Sequence, residues 1–289
     1  MATGNNRNVI FAHPNHADMA SLSGGDWRAR LPRCNLASRF LGEVARTNGL
    51  DPAAMLVDAD LGASKTIRVV ALLAHNGSAT GGARIIASDE DDFSTVKYDS
   101  GDTDLWPTVF TPGTVEWEAD SFWLGVPEAA IRDAYPALFI HILPEGVVAR
   151  YWRVEITDDA NPDGYFEAGR LILSPGWQPL LNYSIDWRMG IVDPSNASES
   201  LGGAKHFELR PSFRVARISL DHMTAQEGWE RAFDLTQVLG RVGEVFVVLD
   251  PEDARNLQRQ SLLARLDPSE LRHPRGRKQM SFTLEEVVK

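Results

Sequence analysis

Residues Ala149–Leu173 read ARYWRVEITDDANPDGYFEAGRLIL, and their pattern decides the fold class. Trp152, Val154 and Ile156 alternate with Tyr151, Arg153, Glu155 and Thr157. Period-two alternation places successive side chains on opposite faces, so this segment reads as a half-buried antiparallel strand. The following DDANPDG gathers Asp, Asn, Pro and Gly, the residues that turn a chain. A second strand is expected over Tyr165–Leu173, with Gly169 at its centre.

Working outward, short apolar runs recur at Val9–Phe11, Met55–Val57, Ile67–Ala74, Arg84–Ala87 and Ala137–Leu143. Gly-, Asn- and Asp-rich stretches such as HNGSATGG separate them. Short strands at this spacing point to a sandwich or barrel. Short helices are expected over Ala37–Val44 and Pro127–Ala134. No βαβ rhythm, GxGxxG or phosphate loop is present.

The prolines and glycine of SPGWQP break the pattern near residue 176. Two domains are therefore expected, 1–176 and 177–289. In the second, strands are expected over Asn182–Val192, Lys205–Arg210 and Phe213–Leu220, with DPSNASESLGG as a loop. The clearest helix covers about 225–239: Thr224 and Glu227 form a capping box, and Gly240 ends it. Trp229, Ala232, Phe233 and Thr236 fall on one face at helical spacing. Val245–Leu249 reads as a buried strand, and Ser261–Leu266 and Met280–Val288 as closing strands. The basic run RHPRGRK at 272–278 reads as a loop.

Composition bounds the function. The 289 residues carry 40 Asp and Glu against 29 Lys and Arg, a net charge of −11. That balance argues against broad nucleic-acid binding. The one cysteine, Cys34, excludes an intrachain disulfide and reads as a buried small hydrophobe. No apolar run reaches the roughly 18 residues of a membrane-spanning helix, and the N-terminus lacks the pattern of a secretory signal.

Catalytic signals are weak. There is no GxSxG elbow, and the seven histidines are scattered. His13 and His16 lack further metal ligands of matching spacing. Asp89–Asp92 and the 158–163 loop carry hard oxygen donors, and Asp158, Asp159 and Asp163 are weak calcium candidates, although neither loop follows the EF-hand spacing. No cofactor is expected. The chain holds eight tryptophans, Trp27, Trp106, Trp117, Trp123, Trp152, Trp177, Trp187 and Trp229. Trp152 and Trp229 read as core, and Trp106, beside Pro107 in a polar loop, as the best exposed candidate.

The segment DLGASKTIRVVALLAHNGSATGGARI at 60–85, together with YWRVEITDDANPDGYFEAGRLIL, resembles the galactose-binding-like (discoidin-type) jelly roll. With its NPDGY spelling it is similar to modules of tailed-phage virion proteins. The second part resembles the β-sandwich with one packed helix of tail-tube and distal tail proteins, although the domain order differs from theirs.

The resemblance implies a mainly β, non-enzymatic virion protein. It would be a ring-forming subunit of a tail tip or baseplate, assembled in the host cytoplasm. Its partners would be further copies of itself and other tail-tip and tail-tube proteins, with no specific nucleic-acid recognition and no membrane insertion. The alternative is a carbohydrate-binding module for host polysaccharide, with Trp106, His75 and Asn76 near a sugar and the loops His75–Gly82, Asp99–Pro107 and Asp158–Gly164 around it.

Overall fold

The structure is a computed structural model that describes residues 7–110, 125–128, 132, 135–200, 202–268 and 270–288. Trp117, Trp123 and most of the segment expected to form a helix over 127–134 lie outside these residues. The fold is mainly β and antiparallel, in two compact units. The larger holds Ala12–Gly176 and Pro251–Gln260; the smaller holds the N-terminus to Phe11, Trp177–Asp250 and Ser261–Val288. The chain passes from one unit to the other between Gly176 and Trp177. Two short segments depart from the expected contiguous division. The strand Ile10–Ala12 joins the sheet of the smaller unit, and Pro251–Gln260 returns to the larger.

The larger unit is built on two long strands, Leu56–Leu73 and Leu138–Thr157. They pair antiparallel, with Ala59 opposite Trp152 and Leu72 opposite Phe139. Register shifts between Asp60 and Lys65 and between Ile67 and Val69 interrupt the ladder. Such irregularities bend a strand, letting one long pair curve around a core. The alternation reads through: Trp152, Val154 and Ile156 are buried, while Arg153 and Glu155 on the other face are half-buried. Across that outer face the Arg153 guanidinium donates to both carboxylate oxygens of Asp58 at 2.6 and 2.9 Å, and Arg150 to those of Asp60 at 2.7 and 2.8 Å.

The expected second strand is not one strand and does not pair with the first. It breaks at Gly169, where an added Cβ would lie 2.9 Å from the Leu41 carbonyl oxygen. Glu167–Ala168 pairs with Ala45–Arg46. Arg170–Ser174 pairs with Leu56–Leu73, on the side opposite Leu138–Thr157. Gly82–Ser88 covers the far side of Leu138–Thr157, with Ile85 opposite Val154. Phe166, Ile67, Leu73, Ile85 and Leu105 fill the core around Trp152. Two expectations fail nearby. Ala37–Val44 forms no α-helix; a 3₁₀ turn at Arg33–Ala37 buries Leu36 instead. That turn leaves Cys34 exposed rather than buried.

The smaller unit is a six-stranded sheet in the order Ile10–Ala12, Glu244–Val248, Ser261–Pro268, Lys278–Glu286, Phe213–Met223 and Arg188–Val192. Phe11 stacks on Trp177 at 5.2 Å and meets Phe282 at 5.6 Å in its core. Arg214 and Glu286 form an ion pair with both side chains at most 5 % exposed. The capping box forms as expected: the Thr224 and Glu227 backbone N–H groups donate to each other's side-chain oxygens at 3.0 and 3.2 Å. The helix then runs as a π-helical stretch, Glu227–Phe233, followed by an α-helical turn, Asp234–Leu239.

A π-helical stretch advances the face differently from 3.6-residue spacing. Ala232 is accordingly buried, but Trp229 is half exposed and Phe233 is partly exposed, correcting the expected core role of Trp229. Gly228 passes close to Lys278, whose Cβ would lie 2.6 Å from an added Cβ. The Lys278 ammonium stands 5.0 Å over the Trp229 ring. Part of the expected loop DPSNASESLGG is a strand. Asn196–Glu199 pairs with Lys205–Glu208 in a hairpin exposed along its length. No helix among the described residues is long and apolar enough to cross a membrane.

Candidate functional site

The loops His75–Gly82, Asp99–Pro107 and Asp158–Gly164 do meet at one end of the larger unit, and polar side chains bind them to one another. Asp158 is buried. Its carboxylate accepts from the Ser78 N–H at 2.9 Å, from the Ser78 hydroxyl and from the Asn161 carboxamide at 2.8 Å. Asn76 is equally engaged. Its Oδ1 accepts from the Glu167 N–H at 2.7 Å, and its Nδ2 donates to Asp163 at 2.8 Å and to the Tyr165 carbonyl at 3.1 Å. The geometry gives Asn76 and Asp158 the work of fixing loops, which a buried polar group does only when its hydrogen bonds are met.

The calcium candidates do not converge. Asp158 points into the loops, Asp163 holds Asn76, and Asp159 is exposed. Among the described residues, no group of three or more His, Cys, Asp or Glu gathers to hold a metal. The Asp89–Asp92 stretch is a turn in which Asp89 pairs with Lys97 and Asp92 accepts from the Ser94 N–H.

His75 is buried between two aromatic rings. Trp106 meets it edge-on at 5.4 Å, and Phe166 stacks at 6.4 Å. Its Nδ1 accepts from the Gly77 N–H at 3.1 Å, and its Nε2 is buried without a hydrogen-bond partner. Burial lowers its pKa from 6.5 to about 4. Desolvation disfavours the imidazolium, so His75 is neutral at physiological pH.

Trp106 is 6 % exposed, contrary to the exposed loop-tip aromatic expected. Its indole N–H donates to the Gly77 carbonyl at 2.9 Å. Gly77 and Gly81 leave room for Leu105, which would stand 2.5 and 2.7 Å from Cβ atoms added there.

What remains of the Trp106 surface lines a shallow cleft with a cavity volume of about 20 Å³ that opens to solvent. Val109, Pro127 and Tyr135 complete an apolar and aromatic wall. Arg132 reaches over Trp106, its guanidinium 5.7 Å from the ring centroid. The returning segment Pro251–Gln260 also lines the cleft, through Arg255, Gln258 and Arg259. Asp253 organises that segment by accepting from Asn256 at 2.8 Å and Gln260 at 3.2 Å. Gln258 is buried and donates to the Leu138 carbonyl, fixing the wall to the sheet.

Sequence reading singled out Trp106 but missed Arg132, Tyr135, Arg255, Gln258 and Arg259. The available signal was the spacing of Arg255 and Arg259, four residues apart in an acidic chain.

A second aromatic cluster is closed. Tyr165 lies under the guanidinium of Arg46 at 4.0 Å and of Arg28 at 5.3 Å. Arg46 is itself held by Glu167.

No family model matches the chain, and no curated protein shows significant similarity to it. Solved structures similar to it include a CBM32 of AlyQ in complex with 4,5-unsaturated mannuronic acid. It is 17 % identical, with a TM-score of 0.34 over 53 % of this chain and 92 % of that one. The family 32 CBM from C. perfringens NanJ in complex with galactose is 11 % identical, with a TM-score of 0.36 over 57 % and 98 %. SpGH29 is 14 % identical, with a TM-score of 0.36 over 56 % of this chain, which spans 28 % of that longer chain. At these scores the likeness carries no conclusion about what this chain binds.

Proposed function

We propose that the chain is a non-enzymatic carbohydrate-binding protein that receives a sugar in the cleft beside Trp106. One observation carries the reading: aromatic and apolar side chains and planar hydrogen-bonding side chains line one open cleft together. Sugar rings present apolar C–H faces and hydroxyl edges. Aromatic walls suit the first, and fixed guanidinium and carboxamide groups the second. Hydrogen bonds from Ser78 and Asn161 to Asp158, and from Trp106 to Gly77, hold the loops behind the cleft in place before any ligand arrives.

A glycan array with the full chain tests this. The parent is expected to bind a limited set of glycans, and Tyr135→Ala and Arg255→Gln to lose the signal while keeping the parent's circular dichroism. An array on which nothing binds, or on which both variants bind like the parent, rejects the reading.

A second reading, a ring-forming subunit of a virion tail tip, would place its subunit contacts on the smaller unit. Ile185, Ile191, Phe207, Leu209 and Val238 are all exposed there, and the hairpin Asn196–Glu199 with Lys205–Glu208 has no cover. Sedimentation at rising concentration is expected to show a closed oligomer on this reading; a monomer throughout removes its support.

A further inference from the structure

We infer that the smaller unit binds a ligand through a phosphate group in the open cavity around Arg188 and Arg217; this site is separate from the carbohydrate reading and stands or falls without it. The cavity has a volume of about 270 Å³, and Asp186, Arg188, Arg217, Ser219, Ser281 and Thr283 line it. The sheet register brings these side chains together. Arg188 lies directly opposite Arg217, Arg217 opposite Thr283, and Ser219 opposite Ser281. Ala216, Ile218 and Leu220 are buried in the core, so Arg217 and Ser219, which alternate with them, point to the other face.

Like charges directly opposite in an antiparallel ladder repel each other. Among the described residues, no side-chain hydrogen bond or ion pair engages either guanidinium. The nearby acids have other roles. Asp221 accepts from the Ser184 and Ser219 hydroxyls and from Gln279 at 2.7 Å. Glu286 holds Arg214 on the buried face, and Glu244 lies 3.7 Å from Arg265. Glu285 and Asp267 share the face of Arg217, opposite Val215 and Thr283, and no ion pair joins them to it. Asp186 lines the cavity without an ion pair to either arginine. The Ser281 hydroxyl donates to that of Ser219 at 3.0 Å, and Ser219 donates in turn to Asp221. The donors left for a ligand are Arg188, Arg217 and Thr283.

A guanidinium offers an oxyanion two parallel hydrogen bonds and stays charged at every accessible pH. One guanidinium fills the single plane of a carboxylate. A phosphate group has three terminal oxygens and up to two negative charges, so it accepts from two guanidinium groups and a hydroxyl at once. Asp186 at the cavity and the net charge of −11 disfavour a long polyanion such as nucleic acid.

The experiment is isothermal titration of the full chain with glycerol 3-phosphate, inorganic phosphate, glycerol and sodium acetate at constant ionic strength. Glycerol 3-phosphate is expected to bind saturably and at least ten-fold more tightly than acetate, and glycerol not to bind. Arg188→Gln and Arg217→Gln should each weaken it ten-fold or more. Arg265→Gln, on the same sheet but outside the cavity, should leave it unchanged. Without ligand, both cavity variants should melt no lower than the parent, since each removes a repulsion. Tighter binding of the ester than of inorganic phosphate assigns the site to a phosphorylated small molecule, and equal binding assigns it to the free ion; both support it. The inference is overturned by an absence of binding, by acetate binding as tightly as the ester, or by a loss that Arg265→Gln reproduces. A lower melt for both cavity variants also overturns it, since the arginines would then be engaged in the fold.

Discussion

Lowering the pH from 7 to 4.5 titrates His75 in the unfolded chain but not in the folded one. Unfolded, the imidazole has its ordinary pKa of 6.5; folded, burial between Trp106 and Phe166 lowers it to about 4. Between those values the unfolded state binds the extra proton, so stability falls as pH falls. The contribution of His75 is intact above pH 6.5 and is lost progressively toward pH 4. At about 1.36 kcal/mol per pH unit of difference, the loss from pH 7 to 4.5 is about 2.5 kcal/mol. Other groups titrate over the same range, so the measurement is a difference. Urea unfolding of the parent and of His75→Phe is followed at pH 7, 6, 5 and 4.5. The variant keeps a ring in the stack and loses the acceptor for the Gly77 N–H, a cost of about 1 kcal/mol at pH 7. Its disadvantage should shrink and then reverse as pH falls. Parallel pH profiles for the two proteins would refute the buried neutral imidazole.

Removing the loop lock with Asp158→Ala strands the Ser78 and Asn161 donors and should lower stability by about 3 kcal/mol; a loss below about 1 kcal/mol in urea unfolding would show that the loops are held by other means. Glu286→Ala removes the buried carboxylate paired with Arg214, with an expected loss of about 3 kcal/mol in the smaller unit; a near-neutral result in the same assay would mean that solvent reaches the pair. Glu227→Ala opens the capping box and should cost about 1 kcal/mol, with hydrogen exchange rising first at the helix start. Unchanged protection there would contradict the cap's role.

Local physics was legible in the sequence where one residue's role depends on its near neighbours. The alternation of Trp152, Val154 and Ile156 reported the sheet face, and Thr224 with Glu227 reported the helix start. The sequence pattern misled where distant chain decides. Gly169 looked like the middle of a strand, yet the Leu41 backbone packs against it and the pairing changes partner there. Trp106 sits in a polar stretch and is buried because Gly77, from another loop, accepts its indole N–H. The candidate cleft was hidden for the same reason. Arg255 and Arg259 follow Asp250 in sequence, but their segment folds back into the unit that ends at Gly176. Trp229 looked like core because its spacing assumed an α-helix, and the π-helical stretch places it differently.

The claim that a sugar occupies the Trp106 cleft is tested most directly at the Trp106 indole N–H itself. Its nuclear magnetic resonance signal, assigned by its disappearance in Trp106→Phe, is followed while the glycan selected on the array is added to the full chain. The account predicts a saturable shift of that signal, absent in Arg255→Gln. A glycan that binds and moves other tryptophan signals while leaving Trp106 fixed would contradict it.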